Sequence, residues 1–92
     1  MLKIRYTPLF KRDYKKILKK HYNPKKFEQV MELLIHRRQS ELTRIYKDHA
    51  LTGKWQGFRE LHIEKDWLLI YRIDSNKLTL TLTRTGKHDE LL

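Results

Sequence analysis

The chain predicts a small α+β domain in the order β-α-α-β-β-β, with a helical hairpin on one face of a mainly antiparallel sheet. Three features carry that reading. Two cap-plus-proline signals, Thr7-Pro8 and Asn23-Pro24, each precede residues at helical spacing. Three apolar or alternating runs crowd the last third of the chain. Turn chemistry, "DSN" at 74–76, separates the last two of them.

Taken in order, "LKIRY" (2–6) alternates as a short strand does. Thr7 then caps a helix whose first turn accepts Pro8. Its apolar stripe is Phe10, Tyr14, Ile17 and Leu18, extending to His21, and Lys11, Arg12, Lys15, Lys16, Lys19 and Lys20 cover the rest. The second helix starts at Asn23-Pro24 and carries Phe27, Val30, Met31 and Leu34, so the two form an αα-hairpin. From Arg38 the period fades, and 42–57 reads as an irregular connection. Strands follow at 58–63, 67–73 and 77–83. The middle one is apolar on both faces, as a central strand is, and the last alternates Leu78, Leu80 and Leu82 with Thr79, Thr81 and Thr83.

At 92 residues the chain is a single domain spanning 1–92, with no repeats or linkers. It has no cysteine, which excludes disulfides, thiolate chemistry and thiolate metal sites. No apolar run approaches the roughly 18–20 residues of a membrane span, and "MLKIRYTPLF" has no signal-peptide core, so a cytoplasmic protein is expected. The net charge of +10 is unevenly placed: residues 1–46 hold 13 Lys/Arg against 4 Asp/Glu, and residues 47–92 hold 8 against 7. That asymmetry points to a polyanionic partner met through the N-terminal half, with Lys11, Arg12, Lys15, Lys16, Lys19 and Lys20 as the RNA-binding face.

The near-neutral half carries the chemistry. If Leu61 and Ile63 face the helices, His62 faces the other way, toward an uncovered side of the sheet. His49, Asp66, Trp67, Arg84 and His88 lie in the same half. Each alone is ordinary for a surface imidazole, a turn former or a packed indole. Together they suit cleavage of RNA by its own 2′-hydroxyl, which needs a base, an acid, a cation for the phosphorane and an aromatic surface for an unpaired base. A metal site is the weaker candidate, because there is no His-Glu-x-x-His and no tight ligand spacing; no metal or cofactor is expected. Strict alternation puts Arg84 in phase with Leu78, Leu80 and Leu82, so the strand must end or bulge near Thr83 for Arg84 to reach that side.

"YKDHALTGKWQGFRELHIEKDWLLIYRI", followed by "LTRTGKHDELL", strongly resembles the YafQ branch of the RelE/ParE superfamily of bacterial type II toxin–antitoxin toxins. The resemblance covers essentially the whole chain and implies a RelE-like fold. It also implies a ribosome-dependent, metal-independent mRNA endoribonuclease, silenced by a cognate acidic antitoxin. The implied partners are that antitoxin, the ribosome and its translated mRNA, and operator DNA only indirectly through the antitoxin; no membrane is implied. Carried over residue by residue, the family's site falls on His49, His62, Asp66, Arg84 and His88 as catalytic groups, with His88 and Asp66 favoured as acid and base. Trp67 would position a base. The family's terminal aromatic falls on Leu92, a departure from its pattern at a substrate-binding position. Two competing readings are a non-catalytic basic RNA- or DNA-binding domain and a superfamily toxin with another target.

Overall fold

A computed structural model describes residues 2–91, and the two cap signals act as their residue types require. Strand β1 (Lys3–Tyr6) leads into helix α1 (Pro8–Lys19), where the Thr7 hydroxyl accepts the Phe10 amide at 3.0 Å. Helix α2 (Pro24–Ile35) opens the same way, with Asn23 accepting the Lys25 amide at 2.9 Å. Phe10 and Ile17 bury the inner face of α1, but Leu18 and His21 are exposed and do not extend its stripe. Asp13 takes a buried place instead, because it holds Arg84 through two 3.0 Å bonds and the Thr85 amide through one of 3.3 Å.

The segment expected to be irregular contains two further elements. Helix α3 (Gln39–Tyr46) buries Leu42 alone, so it has too little apolar periodicity to show in the sequence. Lys47 ends it in the left-handed region, with φ 56°. The two-residue strand β2 (His49–Ala50) follows, then a short 3₁₀ turn at Gly53–Trp55.

Strands β3 (Arg59–Glu64), β4 (Trp67–Asp74) and β5 (Thr79–Gly86) complete a five-stranded sheet in the order β1-β5-β4-β3-β2. Its strands pair antiparallel, apart from β1 with β5. The last strand starts later and runs longer than expected. Leu78 is not part of it; it sits exposed in the preceding turn with φ 49°.

Leu61, Ile63, Trp67, Leu69, Tyr71, Leu80 and Leu82 face the helices and form one core with Phe10, Ile17, Phe27, Val30 and Leu34. Each fully buried aliphatic side chain in it contributes roughly 1.5–3 kcal/mol. The opposite face is only partly open. Leu68 and Ile70 pack there with Leu91, Leu51, Trp55 and Phe58.

The expected irregularity in β5 is present at Thr83. Leu82 pairs with Tyr71 and Arg84 with Ile70, so Thr83 has no partner on β4. Its carbonyl accepts the Thr7 hydroxyl at 2.7 Å. Thr7 thus serves a helix end and a bulge at once. Thr7→Ala should lower stability by about 2 kcal/mol, a cap plus one stranded carbonyl. Urea unfolding checks this, and a loss below about 0.5 kcal/mol would mean solvent satisfies both groups.

Candidate active site on the outer sheet face

Antiparallel partners present their side chains on one face, so the register assigns the outer face directly. His62 pairs with Leu68, and Leu68 with Gly86. His49 pairs with Glu60, Glu60 with Ile70, and Ile70 with Arg84. These are two adjacent cross-strand rows on the side of Leu68 and Ile70. Three of the expected residues lie there, His49, His62 and Arg84, and β5 ends on the same face at Gly86, two residues before His88.

Glu60 joins the two histidines, and sequence reasoning missed it. Its Oε1 lies 3.5 Å from His49 Nε2 and 3.8 Å from His62 Nε2. The carboxylate is buried, and its Oε2 has no hydrogen-bond partner among the described residues. The signal was present: Glu60 is two residues before His62, and alternation puts both on one face. His49 Nδ1 faces the Lys47 carbonyl at 2.8 Å, a contact in which the ring nitrogen donates, and this turns Nε2 toward Glu60. His62 Nδ1 faces the Lys65 carbonyl at 3.4 Å.

A second overlooked acid holds His49 in place. Asp48, buried with its side chain fully out of solvent, accepts from Arg59 Nε at 2.7 Å and Gln39 Nε2 at 3.1 Å, and pairs with Arg59 Nη2 at 2.7 Å. The Tyr71 hydroxyl donates to its other oxygen. A buried carboxylate is tolerable only when paired and bonded in this way. The result fixes the α3–β2 junction, and hence where the imidazole of the next residue stands.

Arg84 follows the outer face by register, yet its guanidinium reaches Asp13 on α1. It does so where β5 runs on past Leu82, the last residue paired with β1. Hydrogen bonding to Asp13 raises the Arg84 pKa above its ordinary value against the effect of burial, so the group stays cationic. His88 opens the short helix α4 (His88–Leu91), which Leu91 seats on Leu68 and Ile70. Gly86, with φ 152°, makes the turn from β5 into it. The His88 side chain is 66% exposed and its Nδ1 lies 3.9 Å from Asp89.

Two expected residues stand elsewhere. Trp67 is fully buried in the helix-side core, its ring 5.3 Å from Tyr22 and its Nε1–H donating to Thr85 at 2.8 Å. It cannot stack on a substrate base. The first residue of β4 points inward, the opposite of its expected direction. Asp66 lies exposed in the β3–β4 turn, where its Oδ2 accepts the Tyr22 hydroxyl at 2.8 Å. That hydrogen bond is the main cause of a raised Tyr22 pKa. Leu92 lies outside the described residues. Lys11, Arg12, Lys15, Lys16, Lys19 and Lys20 are exposed on α1, as expected of a basic face.

The Asp48 cluster has a measurable consequence at alkaline pH. Burial first, then the hydrogen bond to Asp48, pushes the Tyr71 phenol far above its ordinary value of 10.0. The folded protein therefore holds that proton more tightly than the unfolded chain does. Its contribution is complete below about pH 10 and is lost as pH rises, by up to about 1.4 kcal/mol per unit. Urea unfolding at rising alkaline pH should show this slope reduced in Tyr71→Phe. Equal slopes in both proteins would place the Tyr71 proton outside the stability balance.

Comparison with known proteins follows the same lines. The family profile described as "Bacterial toxin of type II toxin-antitoxin system, YafQ" matches residues 2–92. The mRNA interferase toxin YafQ of Escherichia coli is 41% identical over 88 residues, spanning 96% of this chain and 92% of that protein. A putative toxin YafQ of Haemophilus influenzae is 36% identical over 74 residues, 77% of this chain and 71% of that one. The crystal structure of Escherichia coli YafQ superposes with a TM-score of 0.88 at 37% identity, covering 100% of this chain and 99% of that one. YafQ in its Escherichia coli complex with DinJ gives 0.86 at 38% identity, covering 100% and 99%.

Proposed function

The chain belongs to the YafQ family of bacterial type II toxin–antitoxin toxins, and on that premise we propose that it is a ribosome-dependent mRNA endoribonuclease. The observation that carries the reading is the pair of imidazoles sharing one buried carboxylate on the sheet face, with His49 and that carboxylate in the cross-strand row of Arg84 and His62 in the row beside it. The name of the 41% identical relative, an mRNA interferase, supports the reaction class.

The chemistry is attack of a ribose 2′-oxygen on the adjacent phosphorus. The new O–P bond forms as the bond to the 5′-oxygen breaks, giving a 2′,3′-cyclic phosphate and a 5′-hydroxyl. His49 Nε2 takes the 2′-hydroxyl proton, and Glu60 stabilises the imidazolium that results. His62, facing the same carboxylate oxygen, relays or shares that proton. Asp13 occupies Nε and Nη2 of Arg84, which leaves Nη1 for a phosphoryl oxygen as charge builds in the phosphorane. His88, exposed on α4 at the rim of this face, protonates the departing 5′-oxygen. Asp66, apart from this row in the β3–β4 turn, has its Oδ2 engaged by Tyr22, so its Oδ1 is the acceptor for a substrate group that reaches that turn.

The tests follow the proton. Folded His88→Ala should lose about 10²–10⁴-fold in single-turnover cleavage of message on translating ribosomes. Message carrying hydrogen in place of the scissile 2′-hydroxyl should not be cut by the wild type. Wild-type rates in His88→Ala would remove that residue from the mechanism, and cleavage of the 2′-deoxy site would overturn the mechanism itself.

The partners divide by surface. A family antitoxin, taken to be acidic, suits a protein of net charge +10 and silences it by covering the site or keeping it from the ribosome; any contact with operator DNA would run through it. The basic side of α1 docks ribosomal RNA. Each phosphate contact adds about 0.7–0.9 to the slope of affinity against salt. Changing Lys15, Lys16 and Lys19 together to Gln should therefore weaken ribosome binding and flatten that slope by about two to three units, with the fold intact. An unchanged affinity and slope would make the α1 lysines a solvated surface.

A further inference from the structure

The outer face continues past the catalytic row into a depression of about 310 Å³, lined by Arg5, Arg72, Lys77, Phe58 and the threonines of β5. We propose that this depression is a subsite for one unpaired nucleotide of the cleaved RNA strand and its phosphate; it rests on the reading of the protein as an mRNA endoribonuclease.

The register builds it. Arg5 on β1 and Arg72 on β4 both pair with Thr81, so two guanidinium groups flank one hydroxyl in a single cross-strand row. Strands about 4.8 Å apart place the two arginine backbones roughly 10 Å from each other. Both side chains are exposed. Arg72 is not loose: its guanidinium carbon lies 6.0 Å from the Phe58 ring centroid. Phe58 precedes Arg59, which pairs with Tyr71, and so stands at the β3 end of the same row.

The charges around the depression are Arg5, Arg72 and Lys77 against one carboxylate, Asp74, whose Oδ1 accepts the Lys77 amide at 3.2 Å. The net is cationic. Thr81 and Thr83 add hydroxyl groups. Two cations, hydroxyls and an aromatic wall match one phosphate and one unpaired base, the elements by which single-stranded RNA is held.

Position selects the message strand over ribosomal RNA. Arg72 and Ile70 are two residues apart on β4, about 7 Å along the strand, and Ile70 stands between Arg84 and Glu60. A strand with its scissile phosphate at Arg84 therefore has its neighbouring nucleotide over Thr81. The buried Trp67 leaves the site without its expected base platform, and Phe58 with Arg72 supplies one on the correct face.

The test compares wild type with Arg5→Gln/Arg72→Gln, two exposed positions outside the catalytic set. The probe is a 2′-O-methyl RNA hexamer, which lacks the nucleophile and remains uncut. The double variant should bind it more weakly, with the salt slope reduced by about 0.7 units, the single-strand value for one phosphate contact. Its affinity for message-free ribosomes should be unchanged. No hexamer binding by the wild type, or equal affinity and slope in the two proteins, would overturn the subsite. Loss of message-free ribosome binding with hexamer binding unchanged would reassign the arginines to ribosomal RNA and overturn it as well. Hexamer binding that depends on both arginines, in a wild type that cuts no message on ribosomes, would support the subsite and refute the endoribonuclease reading.

Discussion

One extra residue in β5 sets the face on which every later side chain of that strand stands. Before Thr83, Leu80 and Leu82 face the helices; after it, Arg84 shares the outer face with Ile70 and Thr85 returns to the core. Without the bulge, a period of two would send Arg84 into the core in phase with Leu82, and a guanidinium there would lack water and bring desolvation of several kcal/mol. A bulge also frees backbone groups that the ladder would have bonded. The Thr7 hydroxyl donates to the freed carbonyl of Thr83 while its oxygen accepts the Phe10 amide in the first turn of α1. The start of the helix and the phase of the strand that carries Arg84 are therefore fixed by one side chain.

Three buried acids then decide where the cations and imidazoles stand. Asp13 holds Arg84, Asp48 holds the segment that presents His49, and Glu60 lies between His49 and His62. Asp13 and Asp48 are saturated with donors. Glu60 is not, since its Oε2 has none among the described residues. A buried acceptor without a donor is costly in a fold, of order 1–3 kcal/mol. The contrast separates two scaffolding carboxylates from one that has capacity for a proton-carrying neighbour.

The sequence made the architecture legible wherever local signals agree. Thr7-Pro8 and Asn23-Pro24 start helices where they stand, and the strands around Leu61, Leu69 and Leu80 lie within a few residues of their expected bounds. The arithmetic of alternation even required an irregularity at Thr83. Elements with one buried residue did not show: α3 has only Leu42 inside, and β2 has two residues. Among site residues, His49, His62 and Arg84 reach one face, but Trp67 does not. A tryptophan beside an aspartate in a turn carries no mark of which way it points, and a fully apolar central strand has no polar face to set its phase. The acids Asp13 and Asp48 were invisible for a different reason. A carboxylate in sequence looks the same whether it is solvated or buried against an arginine contributed from 71 residues away.

The division into a basic helix and a near-neutral catalytic half is less complete in three dimensions than along the chain. Asp13 belongs to α1, the helix whose outer side carries the lysines, and its carboxylate is what Arg84 rests on. Lys16 and Lys20 border the same small cavity as Arg84, and Lys20 pairs with Glu90 of α4 at 3.4 Å. That glutamate in turn accepts the Lys87 amide at 3.2 Å, next to His88. These cations line the cavity that Arg84 also lines, and partly buried charges so placed are screened little by salt. A phosphate approaching Arg84 therefore meets the field of α1 as well. A polyanion gripping Lys16 and Lys20 would compete with Glu90 for Lys20 and so bear on α4 and on His88. The lysine-rich helix and the strand that carries Arg84 are joined by two carboxylates, Asp13 and Glu90, one at each end of Arg84's surroundings.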